Sequence, residues 1–237
     1  MQKETYLGVD VSPLNYEEII TDLRGRMAKG EKSTIIAVNP EKMIKAETDA
    51  DLKQLINEST YQIPDGIGVL LASKLKKGGI RSRVTGVDMM DRLLRFAAEE
   101  GKRVFFYGAK EEVVRAAKEN IEKKYPTIQI VGYENGYEKD NDKIVRHIQE
   151  VNADLVFVAM GSPRQEHWIR ENMHHVPATV FQGVGGSFDV YAGHVKRAPE
   201  FFQKLGLEWF YRLITQPSRF KRQLALPRFL LKILFSK

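Results

Sequence analysis

The chain contains no cysteine. Disulfides, thiolate metal sites and cysteine nucleophiles are thereby excluded, and a reducing compartment fits. No apolar run reaches about 18 residues, so no segment is expected to cross a bilayer as a helix. Met1-Gln2-Lys3-Glu4-Thr5-Tyr6 lacks the apolar stretch of a secretory signal, which makes the cytoplasm the expected location. No G-x-G-x-x-G follows a strand and no G-x-x-x-x-G-K-[ST] occurs, which argues against dinucleotide oxidoreductases and P-loop enzymes. The G-x-S-x-G elbow is missing too. The five histidines (His147, His167, His174, His175 and His194) show no metal spacing such as H-E-x-x-H. Acid is scarce in one place. From His194 onward ten lysines and arginines face only Glu200 and Glu208, a net charge of +8, whereas the rest of the chain carries −2 of the overall +6. So local a charge implies an anionic partner, either nucleic acid or an acidic membrane surface.

What is present reads as an ordinary core. The 237 residues are 43% hydrophobic, enough for one large domain or two small ones. Tyr6 to Val11 alternates like a short strand or hairpin arm, and Asn15 to Ala28 has helical period. Thr34–Val38 is a strand candidate, followed by helical pattern from Asn39-Pro40 through about Ile56. From Val87 the alternation is regular. Helices are predicted over 89–99, 111–124, 141–151 and 163–173, and strands over 103–107, 128–131, 155–159 and 178–182, each strand ending at a glycine. That alternation predicts an α/β fold: a Rossmann-like, mostly parallel sheet flanked by helices. The expected division is an α/β domain over 1–195 and a basic helical appendage over 196–237.

Four stretches carry chemistry. In Ile63-Pro64-Asp65-Gly66-Ile67-Gly68, proline ends a strand and a carboxylate stands at a strand-to-helix turn, where parallel sheets bind ligands. Asp65 is there either a helix cap or a ligand-facing group. Met160 to Trp168 is a glycine turn and a Pro-started helix that presents Arg164 and Gln165. Its start, with Gly161, suits a phosphate, and Gln165 suits a base edge or sugar hydroxyl. Gln182 to Val190 has three glycines in four positions, a cost in entropy that a phosphate- or sugar-contacting loop explains; Gly185, Gly186 and Asp189 are its candidates. Arg81 to Asp88 offers Arg83, whose fork matches phosphate oxygens; a solvated basic loop is the plainer alternative. Gly108 and Ala109, after the 103–107 strand, are further donor-side candidates. Asp49-Ala50-Asp51 and Asp140-Asn141-Asp142 resemble metal-holding pairs but fall where helices start, so they are read as capping or surface acids.

Leu205–Thr215 and Arg219–Phe235 read as helices separated by Gln216-Pro217-Ser218, with Pro227 as a kink. Lys221, Arg228 and Lys232 fall on one stripe of the second, and Leu226, Leu230, Ile233 and Leu234 on the other. A basic amphipathic helix with aromatic neighbours binds an anionic membrane surface; packing on the domain or a second subunit is the plainer alternative. No helix-turn-helix, zinc-finger or RNA-binding signature supports the nucleic-acid reading.

Asn39-Pro40-Glu41, Pro64-Asp65-Gly66-Ile67-Gly68, Arg83-Val84-Thr85-Gly86-Val87-Asp88, Gly161 to Glu166 and Gly183 to Asp189 occur in this order, with Arg197-Ala198-Pro199 before Gly206-Leu207-Glu208-Trp209. Together they resemble the TagA/CpsF/WecG family of bacterial glycosyltransferases over nearly the whole chain, closest to its N-acetylmannosaminyl-transferring branch in wall teichoic acid synthesis. The resemblance implies UDP-N-acetylmannosamine as donor and N-acetylglucosamine on undecaprenyl diphosphate as acceptor, joined β-1,4 with inversion. It implies Asp65 as base, with Asn39 and Arg83 beside it, and Gln165 and Asp189 on the nucleotide side. It also implies a C-terminal appendage that reaches the membrane's inner face, where Arg212, Arg219 and Arg222 are candidate leaving-group or membrane contacts. Arginines and helix-start amides take the place of a metal, so no cofactor is expected. Relatives that use another UDP-sugar are the enzymatic alternative. A homo-oligomer, dimer or trimer, formed before the tail docks is compatible with the sequence. Where the family often has threonine, this chain has Ala37.

Overall fold

The computed structural model describes residues 2–199, 201–202, 206–215 and 224–235. The chain begins as a hairpin, Glu4–Tyr6 (β1) against Val9–Val11 (β2). Its turn residues Leu7 and Gly8 take φ of 52° and 78°, the geometry whose twist matches paired strands. Tyr16–Ala28 (α1) is closed by a reciprocal cap between Asn15 and Glu18. After Ser33–Val38 (β3) come Pro40–Ala46 (α2) and Ala50–Glu58 (α3). The pattern predicts one helix here. The structure has two, because the Asp49 carboxylate accepts from the Leu52 amide at 2.9 Å and starts a new one.

Tyr61–Pro64 (β4), Ile67–Leu75 (α4) and Gly86–Glu99 (α5) follow. Thr85 caps α5, which therefore starts three residues before its apolar period suggests. Arg103–Gly108 (β5), Glu111–Lys124 (α6), Gln129–Glu134 (β6), Asn141–Glu150 (α7), Leu155–Ala159 (β7), Arg164–Asn172 (α8) and Val180–Gly183 (β8) alternate as expected. Glycine ends β5 and β8 but not the other two. Gly132 lies inside β6, where an added Cβ would stand 2.8 Å from the Phe105 ring, and β7 stops at Ala159. Ser187–Tyr191 (α9) is too short for its period to reveal it.

The six strands after the hairpin form one parallel sheet, in order β4-β3-β8-β7-β5-β6. From β5 the chain goes outward to β6, whereas from β7 it goes the other way to β8. The crevice above the ends of β5 and β7 is thus a switch point of the kind that holds ligands. Core residues from α1, α5, α6 and α9 cover one face. The hairpin, α2, α3 and α4 cover part of the other, and α7 and α8 the remainder.

Glu208–Thr215 (α10) and Ala225–Phe235 (α11) are the described tail helices. The predicted break at Gln216-Pro217-Ser218 lies outside the described residues. Pro227 falls in the first turn of α11, where its missing N–H is no loss, so it is a start and not a kink. The face expected to meet the membrane is instead docked on the protein. Phe229 and Ile233 are buried in the core between α2 and α4, with Leu230 packed beside them. The Leu226 side chain occupies the space that a Cβ on Gly68 would take. Leu234, read as part of that face, is exposed. For this face the plainer alternative holds.

Candidate active site

Pro64 is the last β4 residue in register, opposite Val38 of β3. Asp65 still donates its amide to the Val38 carbonyl (2.9 Å), and the Pro64 carbonyl accepts from the Val84 amide at 3.0 Å. The Asp65 backbone is therefore fixed on both sides. Gly66, at φ 94°, takes the N-cap position of α4, and no side chain caps that helix. The capping explanation of Asp65 is overturned: its half-buried carboxylate serves no helix start. Gly86 borders it. A Cβ there would stand 3.3 Å from the Ala37 methyl and 4.0 Å from Asp65 Oδ2. Position 37 thus lies at the floor of the site, where this chain offers a methyl and no hydroxyl. The Tyr16 hydroxyl accepts from the Thr85 amide at 2.8 Å. Burial chiefly, with the charges of Asp88 and Asp65 adding, keeps its proton on above the usual range. No sequence signal marked Tyr16, because a tyrosine in the first turn of a helix reads as core.

A second carboxylate network adjoins the first. Arg197 grips Asp88 with two hydrogen bonds, 2.7 and 3.1 Å, and Thr85 Oγ1 donates to the same carboxylate at 2.6 Å. Burial alone would raise the Asp88 pKa. The Arg197 and Thr85 hydrogen bonds, with the Arg197 and Arg83 charges, outweigh it and hold it below the ordinary value. Arg83 lies 3.6 Å from Glu208 on α10, so the tail touches the residue expected beside the base. Asn39 leaves β3 next to Asp65. Its Oδ1 accepts from the Lys42 amide at 2.9 Å and caps α2. Its side-chain amide has no protein partner among the described residues.

The donor-side candidates line the adjoining ends of β5, β7 and β8. Gln165 is buried: Oε1 accepts from the Gly185 amide (3.0 Å) and Nε2 donates to Glu166 (3.1 Å). It braces the glycine loop from below. Gly183 must be glycine for this, since a Cβ would stand 2.6 Å from Gln165 Nε2. Gly161 (φ 74°) and Gly185 (φ 53°) turn the two loops, with Arg164 and Gly186 exposed and Asp189 half-buried. Ala109 donates to the Ala159 carbonyl at 2.9 Å and accepts from Gly136 at 2.7 Å. At Gly108, φ is 114° and a Cβ would stand 2.4 Å from the Ala159 carbonyl oxygen. Gly108→Ala should lower stability by about 2–3 kcal/mol, because strained φ and a backbone clash add. A urea midpoint equal to wild type would refute that.

One pair escaped sequence reasoning. Lys42 reaches Glu166 across 124 residues of chain, at 2.9 Å, with side chains 10% and 5% exposed. The second Glu166 oxygen is buried without a partner. Burial is the largest influence on this carboxyl and pushes its pKa up. The Lys42 charge and hydrogen bond, with that from Gln165, outweigh it and hold the pKa below its ordinary value. Lys42, Glu166, Gln165 and Gly185 therefore form one chain of contacts under the donor-side loop.

Asp49 and Asp140 cap α3 and α7, and Asp51 pairs with Arg170 and His167, as expected of capping and surface acids. Among the described residues no three His, Asp or Glu side chains are placed to share an ion. Arg219 and Arg222 lie outside the described residues. Arg212 lies on α10, with its side chain outside the description. At the site, α2 and α5 start with side-chain caps from Asn39 and Thr85, whereas α4, α6, α8 and α9 start without one. An uncapped start leaves N–H groups that a ligand can satisfy; at α8 the Gln165 amide already donates to the Gly161 carbonyl at 3.1 Å.

A family model, the Glycosyl transferase WecG/TagA/CpsF family, matches residues 4–237. The chain is 40% identical over 235 residues to the N-acetylglucosaminyldiphosphoundecaprenol N-acetyl-beta-D-mannosaminyltransferase of Bacillus subtilis, covering 99% of this chain and 92% of that enzyme. It is 41% identical over 200 residues to the protein of the same name from Bacillus spizizenii, covering 84% of this chain and 78% of the relative.

Proposed function

The chain belongs to the WecG/TagA/CpsF family of glycosyltransferases, and we propose that it transfers N-acetylmannosamine from UDP-N-acetylmannosamine to O4 of N-acetylglucosamine on undecaprenyl diphosphate, with inversion. The observation that carries this is the 40% identity to an enzyme of that name across 99% of the chain. The site's geometry suits the reaction. A single displacement needs a base for the attacking hydroxyl, stabilisation of the departing diphosphate and fixed alignment of the two substrates. Asp65, held between two strand ends and serving no cap, takes the O4 proton as the C–O bond forms. Arg83 and the uncapped starts of α6 and α8 receive the charge that builds on the UDP oxygens. Asn39 orients the acceptor through its open amide, and Asp189 and the Gly185-Gly186 loop hold the nucleotide. With cations and amides in that role, the reaction proceeds without a bound metal. Arg212, Arg219 and Arg222 add charge from the tail. The enzyme works at the inner membrane face; no helix among the described residues is long and apolar enough to cross a bilayer.

The test is transfer from UDP-N-acetylmannosamine to a short-chain lipid-diphosphate N-acetylglucosamine, read by mass spectrometry. A disaccharide-lipid product, undiminished by EDTA, is expected. Product from another UDP-sugar only would keep the family and discard the sugar, and activity lost to EDTA and restored by Mn²⁺ would discard the metal-free step. UDP at a hundred times its Kd should stabilise the fold by about 2.7 kcal/mol, roughly 5–10 °C in Tm for a chain of this size. An oligonucleotide that produced the same shift would revive the nucleic-acid reading.

A further inference from the structure

An acid-free stretch lies between Asp65 and Asp88. It holds Lys74, Lys76, Lys77, Arg81 and Arg83. Its first half is α4, which begins beside the base. Val69, Ala72 and Ser73 bury the inner face of that helix. Leu71 and Leu75 stay exposed, Leu75 at 52%. They follow Gly68 at i+3 and i+7, on the flank where α11 packs through Leu226. On α11 the core-facing side is Phe229 and Ile233, yet the opposite side is apolar as well. Leu231, Leu234 and Phe235 are exposed there, Phe235 at 80%, and Arg228 is exposed beside them. A helix that is apolar on both sides belongs between two apolar media. One medium is the core; the other must come from outside the described chain.

We infer that α4 and α11 together form one docking surface for an anionic bilayer, with Leu71, Leu75, Leu231, Leu234 and Phe235 entering the headgroup boundary and Lys74, Lys77, Arg81 and Arg228 forming a basic collar. This rests on the lipid-linked acceptor proposed above, and extends membrane contact from the tail to the catalytic domain. Charge favours lipid over a second copy. A twofold interface sets each patch against itself and would bring the two basic collars together.

Three proteins test the inference: wild type, Leu71→Ser/Leu75→Ser and Lys74→Glu/Lys77→Glu, each with its tail intact. Co-sedimentation is measured with phosphatidylglycerol-containing and pure phosphatidylcholine vesicles, molecular mass by sedimentation velocity, and transfer to the short-chain acceptor. Wild type should prefer the anionic vesicles. Both variants should keep their melting temperature and short-chain transfer while binding anionic vesicles less tightly, by about thirtyfold for the lysine pair. Binding within twofold of wild type in both variants overturns the inference. So does a leucine variant that loses only an oligomer present in wild type, since a second copy would then be the occupant. A wild type that transfers nothing to the short-chain acceptor defeats the proposed reaction instead, and the vesicle measurement still decides the surface.

Discussion

Asp65→Asn should lower the transfer rate by on the order of 10²–10⁴-fold, the usual worth of a positioned base, with the fold unchanged. The substitution keeps size and polarity and removes the negative charge, and with it the capacity to take a proton. Asp65 supports no helix, because Gly66 holds the cap position. Its backbone is fixed by its own amide, which donates to Val38, and by the preceding carbonyl, which accepts from Val84. The melting temperature should therefore stay near wild type, and UDP should still raise it, since the donor-side loops belong to other strands. The informative comparison is kcat against donor KM. A fall in kcat at unchanged KM places Asp65 in the proton transfer. Turnover near wild type, in a folded protein, would remove Asp65 from the role of base and leave the rest of the site standing.

Lys42→Met should destabilise the protein by about 3–5 kcal/mol at neutral pH, the cost of leaving a buried charge without its partner. That is a large part of the 5–15 kcal/mol by which domains are usually stable. The pair lies 2.9 Å apart and is almost fully buried, and the other Glu166 oxygen already lacks a partner. The sign of the pH dependence follows. In wild type the Glu166 carboxyl titrates below its ordinary value, so this group adds stability above the unfolded carboxyl pKa, near 4.3. That contribution disappears as pH falls through the folded pKa. In Lys42→Met, burial is left in control and the folded pKa rises above the unfolded one. The variant then gains from acid what wild type loses, and the gap between them narrows from pH 7 towards pH 5. Urea midpoints at the two pH values measure it. Lys42→Met/Glu166→Gln should recover much of the loss, because no buried charge remains. A single variant as stable as wild type at pH 7, with the same pH slope, would show that the pair does not bear on the fold. Because Gln165 links Glu166 to Gly185, the single variant should also raise donor KM.

The sequence by itself determined the alternation of strands and helices, a mostly parallel sheet and the place of Asp65 at a strand-to-helix turn. These rest on local chemistry: the period of apolar residues, proline's missing donor and glycine's tolerance of positive φ. The order of motifs from Asn39 to Trp209 carried the family. Where that reading slipped, a side chain competed locally with the period. Asp49 split one helix into two, Gly132 stayed within a strand to clear Phe105, and five-residue α9 offered no period at all. Only the tertiary structure decided which distant residues meet. Lys42 with Glu166 and Arg197 with Asp88 are partners 124 and 109 residues apart, and Arg83 meets Glu208 from the tail. Such pairs follow from the strand order β4-β3-β8-β7-β5-β6, which no local pattern encodes. The covered side of α11 was settled in the same way. Periodicity shows that a helix has an apolar face. It does not say what lies against that face, and here α2 and α4 cover Phe229 and Ile233 while Leu231 and Phe235 face outward.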